Sequence, residues 1–263
     1  MQDNVEQIIK KQDIYSMNRS RLLLPEKNDC FHVHTFRCGH AENVPDEEYI
    51  KKAMELGAGA IWFSDHAPFP GDPFGNRMKY EQLDEYLDTL TDLKMQYKGQ
   101  IRIMAGLEIE YFPSFDKSGY YKELKHDNRL DFLLLGQHMA EDVENGNYSF
   151  SWDKERLCAY EYQALGNAIL QGAETGYFDL IAHPDRIFRR KKTWDDDMKK
   201  LAVSMIQTAV KYQIPLEKNL SSMRHKNHYW PEFWKIAEIM DAEVITGLDA
   251  HWIADMVKEV GQR

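Results

Sequence analysis

The chain has 263 residues, 43% hydrophobic and 29% charged, with a formal net charge of −10. That composition excludes disorder, and the acidic balance argues against broad, sequence-independent nucleic-acid binding, which needs positive charge. Three irregularly spaced cysteines (Cys30, Cys38, Cys158) do not make a disulfide framework. No stretch reaches the roughly 18 apolar residues of a membrane span, and the polar N-terminus lacks a signal-peptide core, so a cytoplasmic protein is expected.

Residues 1–28 are polar, with a weak helical pattern at Val5, Ile8 and Ile9, and are expected to form an N-terminal extension packed on the domain. From Asp29 onward, short apolar or β-branched runs alternate with longer amphipathic ones, the rhythm of repeated βα units. Strands are predicted over 30–35, 60–66, 101–111, 132–138, 178–184, 215–220 and 243–251, and helices over 45–57, 80–97, 155–175, 195–213 and 231–241. Pro45 followed by Asp46, Glu47 and Glu48 is a helix start, since acids favour the positive end of the dipole. Seven strands with helical crossovers predict an α/β fold, a closed or nearly closed parallel barrel in one domain over 29–263.

Nearly every predicted strand ends in a histidine, a carboxylate or both: His32 and His34, His66, Glu108, His138, His183, and then Asp249 and His251, with His40 in the first loop. Seven of the ten histidines fall at such places; His126, His225 and His228 do not. Alternation along a strand puts His32 and His34 on one face, and Asp249 and His251 likewise. Loops after the strand C-termini of a parallel barrel line one active-site face, so distant residues converge there. A lone strand-end histidine is more often a structural, hydrogen-bonded residue; nine such residues, at strand ends or in the first loop, point to metal. Imidazole mixed with carboxylate suits Zn, Fe or Mn rather than Ca or Mg. Nine ligands exceed one tetrahedral ion and suffice for two or three. Cys38, close to His40, is read as a structural thiol.

The motifs FHVHT, CGHAE, FSDHAPF, GLEIEY, LGQH, IAHPD and GLDAH, in this order, resemble those of the PHP (polymerase and histidinol phosphatase) family, with CGHAEN and SDHAPF nearest to its histidinol-phosphatase branch. The resemblance covers residues 29 to about 255. It implies a distorted, TIM-like (β/α)7 barrel with three metal sites. His32, His34, Glu108 and Asp249 would hold the first ion; Glu108 would bridge to a second completed by His138 and His183; His40, His66 and His251 would hold the third. The implied chemistry is hydrolysis of a small phosphate monoester by a metal-bound hydroxide held by these ligands, Asp249 and Glu108 among them. The implied substrate is L-histidinol phosphate, in histidine biosynthesis.

Phosphate also calls for arginine, whose planar fork matches its oxygens. Arg186, three residues after His183, and Arg224, after the sixth predicted strand, are the candidates, while Arg190, Lys191 and Lys192 read as a solvated basic loop. An acidic or aromatic wall for the rest of the substrate could come from Glu110, Tyr111, Asp65 or Asp72. Lys218 stands where this family would be expected to carry an apolar residue. The competing readings are a phosphoesterase acting on a nucleotide or oligonucleotide, an amidohydrolase, and a metal-stabilised binding protein. An amidohydrolase would want a metal-bridging lysine where Glu108 and His138 stand, and a binding protein would close its sites to water.

Overall fold

The computed structural model describes residues 24–225 and 227–257; most of the expected N-terminal extension, residues 1–23, lies outside them. In chain order the strands are β1 (Cys30–Val33), β2 (Ala60–His66), β3 (Arg102–Ile109), β4 (Phe132–Leu135), the hairpin β5 (Glu141–Asp142) and β6 (Asn147–Tyr148), β7 (Leu180–Ile181), β8 (Leu216–Asn219) and β9 (Val244–Gly247). Seven of them form one parallel sheet in the order β1-β2-β3-β4-β7-β8-β9. The chain after β9 returns to β1: Leu248 N–H donates to Phe31 O at 2.9 Å, Ala250 N–H to His32 O at 3.0 Å, and His34 N–H to Ala250 O at 2.9 Å. The expected seven-stranded barrel is thereby closed.

The helices are α1 (Asp46–Glu55), α2 (Leu83–Gln96), α3 (Pro113–Ser118), α4 (Tyr120–His126), α5 (Lys154–Thr175), α6 (Asp196–Tyr212), α7 (Leu220–Met223) and α8 (Pro231–Ile239). The two longest begin at side-chain caps, Asp153 accepting from Arg156 N–H and Asp195 from Met198 N–H, which satisfy donors a helix start leaves free. No helix of the described residues is long and apolar enough to cross a membrane.

Alternation divides the strand residues between two apolar layers. Outward-facing residues such as Ile61, Phe63, Ile103, Leu107 and Leu133 pack under the helices with Tyr49, Ile50, Tyr86 and Leu90. Inward-facing Phe31, Ala60, Trp62, Phe132, Leu134, Leu180 and Ala182 plug the lower barrel. Gly106 makes room in that plug, because a Cβ there would come within 2.4 Å of the Phe132 ring. Lys218 is outside it, over the rings of Tyr229 and Trp234 at 5.7 and 6.0 Å, a cation–π seat that explains a lysine there.

β1 departs from simple alternation. The β1–β2 register slips between Phe31 and Val33, and His32 has φ 69°. A bulge of this kind rephases the strand. Phe31 can therefore face the plug while His32, the next residue, also points inward above it.

Candidate metal centre

Above the plug, the ends of β1, β2 and β3 and the segments after β4, β7 and β9 bring the predicted ligands together. The prediction that they sit at strand ends holds for His32, His66 and Glu108, which end or nearly end their strands; His34, His138, His183, Asp249 and His251 lie within four residues beyond, and His40 lies in the first loop. Three have left-handed backbone: His32 (φ 69°), His183 (φ 27°) and Asp249 (φ 52°). Such conformations are costly for residues with a Cβ and persist where the surroundings over-determine them.

Glu108, buried, is the hub. Its Oε1 lies 2.7 Å from His183 Nε2 and 3.4 Å from His138 Nε2. Its Oε2 lies 3.1 Å from His66 Nδ1, 3.3 Å from His32 Nε2 and 3.5 Å from His34 Nε2. One carboxylate thus turns its two oxygens to two sets of histidines. Gly136 gives it space: a Cβ there would sit 2.1 Å from Glu108 Oε1. Asp249 Oδ1 faces His34 Nε2 at 3.4 Å, His251 Nδ1 at 3.5 Å and His32 Nε2 at 3.8 Å. The exposed His40 joins through its ring, 4.5 Å from that of His251 and 5.3 Å from that of His66.

Several combinations place their ligand atoms within 4.8 Å of one another: His32 with His34 and Asp249, His66 with Glu108 and His138, His34 with His66 and His251, and Cys38 with His40 and His251. The buried atoms themselves suit a cation. His32 Nε2, both ring nitrogens of His34, Glu108 Oε2 and His251 Nε2 form no hydrogen bond with the described residues. Buried polar atoms left so are costly, of order 1–3 kcal/mol each, unless another partner takes them. Imidazole and carboxylate donors together fit a divalent first-row ion.

The electrostatics favour ligand-ready forms. Burial, helped by neighbouring histidines, pushes His34 down to about 3 and His251 to about 3, and burial takes His66 to about 4 despite Glu108. These imidazoles are neutral at neutral pH, as ligands must be. Burial would raise the carboxyls of Glu108 and Asp249. The histidines outweigh it for Glu108, as Arg186 and the histidines do for Asp249, holding both well below the ordinary range. His32 moves the other way: burial lowers it, but Glu217 and Glu108 raise it well above 6.5.

The arginines divide. Arg186 is in the site: Nη2 donates to Asp249 Oδ2 at 2.6 Å and Asn219 Oδ1 at 3.1 Å, and Nε to Ser222 Oγ at 2.9 Å. Arg224 stands further out, 3.6 Å from Asp255 Oδ1 and 3.4 Å from Val257 O. Both arginines are thus paired with a carboxylate of the protein, Arg186 with Asp249 and Arg224 with Asp255.

The four candidates for a substrate wall are corrected. Asp65 is fully buried and accepts from Thr35 N–H at 2.7 Å and from the Thr35 hydroxyl, and burial lifts it to about 7. Glu110 is buried in a two-bond pair with Arg77 at 2.9 and 3.0 Å. The Tyr111 hydroxyl donates to Asp116 at 2.8 Å, and exposed Asp72 accepts from Tyr80 N–H at 2.8 Å. Each is engaged by a protein group, and Asp65 also lies 3.8 Å from His34 Nδ1. Glu110 also lies 3.3 Å from His138 Nδ1, behind the site rather than in it.

One residue escaped the sequence reading. Glu217 lies 2.6 Å from His32 Nδ1, and its signal was an acid inside a buried strand.

The PHP domain model matches residues 31–221. The histidinol-phosphatase of Bacillus subtilis (strain 168) is 34% identical over 253 residues, covering 86% of this chain and 94% of its own. Among solved structures, hisK of Listeria monocytogenes superposes with a TM-score of 0.72 at 16% identity, covering 88% of this chain and 97% of its own. The histidinol phosphate phosphatase of Lactococcus lactis subsp. lactis Il1403, solved with zinc, L-histidinol and phosphate, has a TM-score of 0.65 at 15% identity, covering 87% and 89%. These two share the fold. With the family model spanning most of the chain and a relative alike over nearly its full length, this chain belongs to the PHP domain family, in its histidinol-phosphatase branch.

Proposed function

We propose that the protein is a metal-dependent phosphatase that hydrolyses L-histidinol phosphate to L-histidinol and phosphate. The observation that carries the reading is Glu108, buried, with one oxygen toward His183 and His138 and the other toward His32, His34 and His66. A carboxylate so placed suits a bridge between ions. Two or three divalent ions, Zn, Fe or Mn, would be held by His32, His34, Glu108 and Asp249, by Glu108, His138 and His183, and by His40, His66 and His251.

When bound, such ions activate a water and neutralise the phosphoryl oxygens, which a reaction this slow without catalysis needs. The protein's own groups do the rest. The left-handed backbones of His32, His183 and Asp249 turn their side chains toward the cluster around Glu108, and Arg186 holds Asp249 in place. Arg186 Nη1, which bonds none of the described residues, is the part of that guanidinium left to meet a phosphate oxygen; Arg224 at the rim is the second contact. The substrate is supported by the B. subtilis relative's activity and by the L-histidinol and phosphate in the L. lactis structure.

The test is phosphate release by metal-replete protein from histidinol phosphate, nucleoside monophosphates and other phosphorylated metabolites, with amides alongside. Histidinol phosphate should have the highest kcat/KM. A preference for another monoester would overturn the substrate, and turnover of amides alone would overturn the phosphatase reading.

A further inference from the structure

Glu217 has no part in the reading above, yet it lies fully buried against the ligand cluster. Its Oε1 is 2.6 Å from His32 Nδ1, and its Oε2 accepts from the backbone N–H of His183 at 3.0 Å and from Asn219 Nδ2 at 3.1 Å. One carboxylate therefore grips the ring of one candidate ligand and the main chain of another. Both gripped residues are in the left-handed region, where backbone stays only when held. The network runs on: Asn219 Oδ1 accepts from Ser222 N–H at 2.8 Å and from Arg186 Nη2, which also bonds Asp249. The third strained ligand is thereby tied to the same frame.

Room for Glu217 is made by β9. A Cβ on Gly247 would lie 1.6 Å from Glu217 Oε1, so no residue with a side chain fits there without moving the carboxylate.

We propose that Glu217 is a positioning residue, holding His32 with Nδ1 as donor and Nε2 free toward Glu108 and Asp249, and holding His183 so that its Nε2 meets Glu108. The physical reason is that imidazole offers a lone pair on one nitrogen when the other donates, and a carboxylate on the far side selects which. The proposal rests on the reading that His32 and His183 hold metal ions.

Glu217→Gln tests it, because the amide keeps the volume but has one acceptor oxygen where the carboxylate used two. Zinc affinity would be measured by competition with a chromophoric chelator, well below the melting transition, alongside kcat and KM. Loss of such an outer partner typically costs 10- to 100-fold in affinity; that loss, with kcat falling more than KM rises, is the expected result. Gly247→Ala, which displaces Oε1 and keeps the charge, should reproduce the affinity loss and carries the test if the Gln variant does not fold. Variants binding zinc within twofold of a zinc-binding wild type overturn the proposal alone. A wild type that takes up no zinc overturns the metal reading, and the proposal with it.

Discussion

Arg186 Nη2 lies 2.6 Å from Asp249 Oδ2, so the arginine expected to hold phosphate also neutralises a carboxylate of the candidate metal centre. An arginine that only held phosphate would, on replacement, raise KM and leave metal content unchanged; the contact with Asp249 changes the second half. Arg186→Ala should lower kcat/KM by the worth of a charged hydrogen bond, about 1.5–3 kcal/mol or roughly 10- to 150-fold. It should also lower zinc content, because Asp249 loses its brace. Arg224→Ala should raise KM with full metal content. Elemental analysis beside steady-state kinetics separates the two, and full metal content in Arg186→Ala would show that Asp249 needs no support.

Glu108→Ala should remove the groups facing both histidine sets at once. We expect kcat to fall at least about a hundredfold, the scale of losing one electrostatic stabiliser, and bound metal to drop by one ion or more per chain. Circular dichroism should show the barrel intact. Near-wild-type turnover would place the chemistry elsewhere.

Gly136→Ala should act on the same carboxylate from behind. A methyl 2.1 Å from Glu108 Oε1 cannot be accommodated unless Glu108 moves. Turnover and metal content should both fall, about tenfold or more in rate, since a misplacement of 1 Å can cost a hundredfold. Gly119→Ala, whose Cβ meets open space, is the control for metal content; it would cost only stability, because φ there is 90°.

Asp185 gives a pH prediction. It is buried, accepts from Trp230 N–H at 2.8 Å and Trp234 Nε1–H at 2.9 Å, and burial raises it from 3.8 to about 7. Between those values the folded state holds a proton that the unfolded state has released, so stability falls as pH rises from about 4 to about 7. Asp185→Asn should flatten that slope. Urea melts of metal-free protein at pH 5 and pH 7 check it, and parallel slopes in both proteins would show that Asp185 does not titrate in this range.

Much of the site was legible because period-two alternation and strand ends are local signals. Asp65, Glu110 and Tyr111 were misplaced for the opposite reason: their partners, Thr35, Arg77 and Asp116, are assigned by packing that spacing does not reveal. His32 and His34 do converge, but through a bulge that alternation alone does not contain. Residues 113–126 were passed over because Gly119 splits them into helices of 6 and 7 residues, too short for a readable period. Glu217 was hidden because its partners, His32 and the His183 N–H, are 185 and 34 residues away and meet it only in the folded barrel.

The pairing of the segment after β9 with β1 has a consequence for assembly. His34 and Ala250, bonded at 2.9 Å, stand roughly 200 residues apart in the chain, a separation that slows folding because the loop must close before any contact rewards it. During synthesis, a chain reaching only to β8 already carries seven of the nine candidate ligands but has no closed ring to aim them. Metal capture in the final arrangement thus waits for the last strand, and a cut just before Asp249 would leave a nearly complete barrel without its centre.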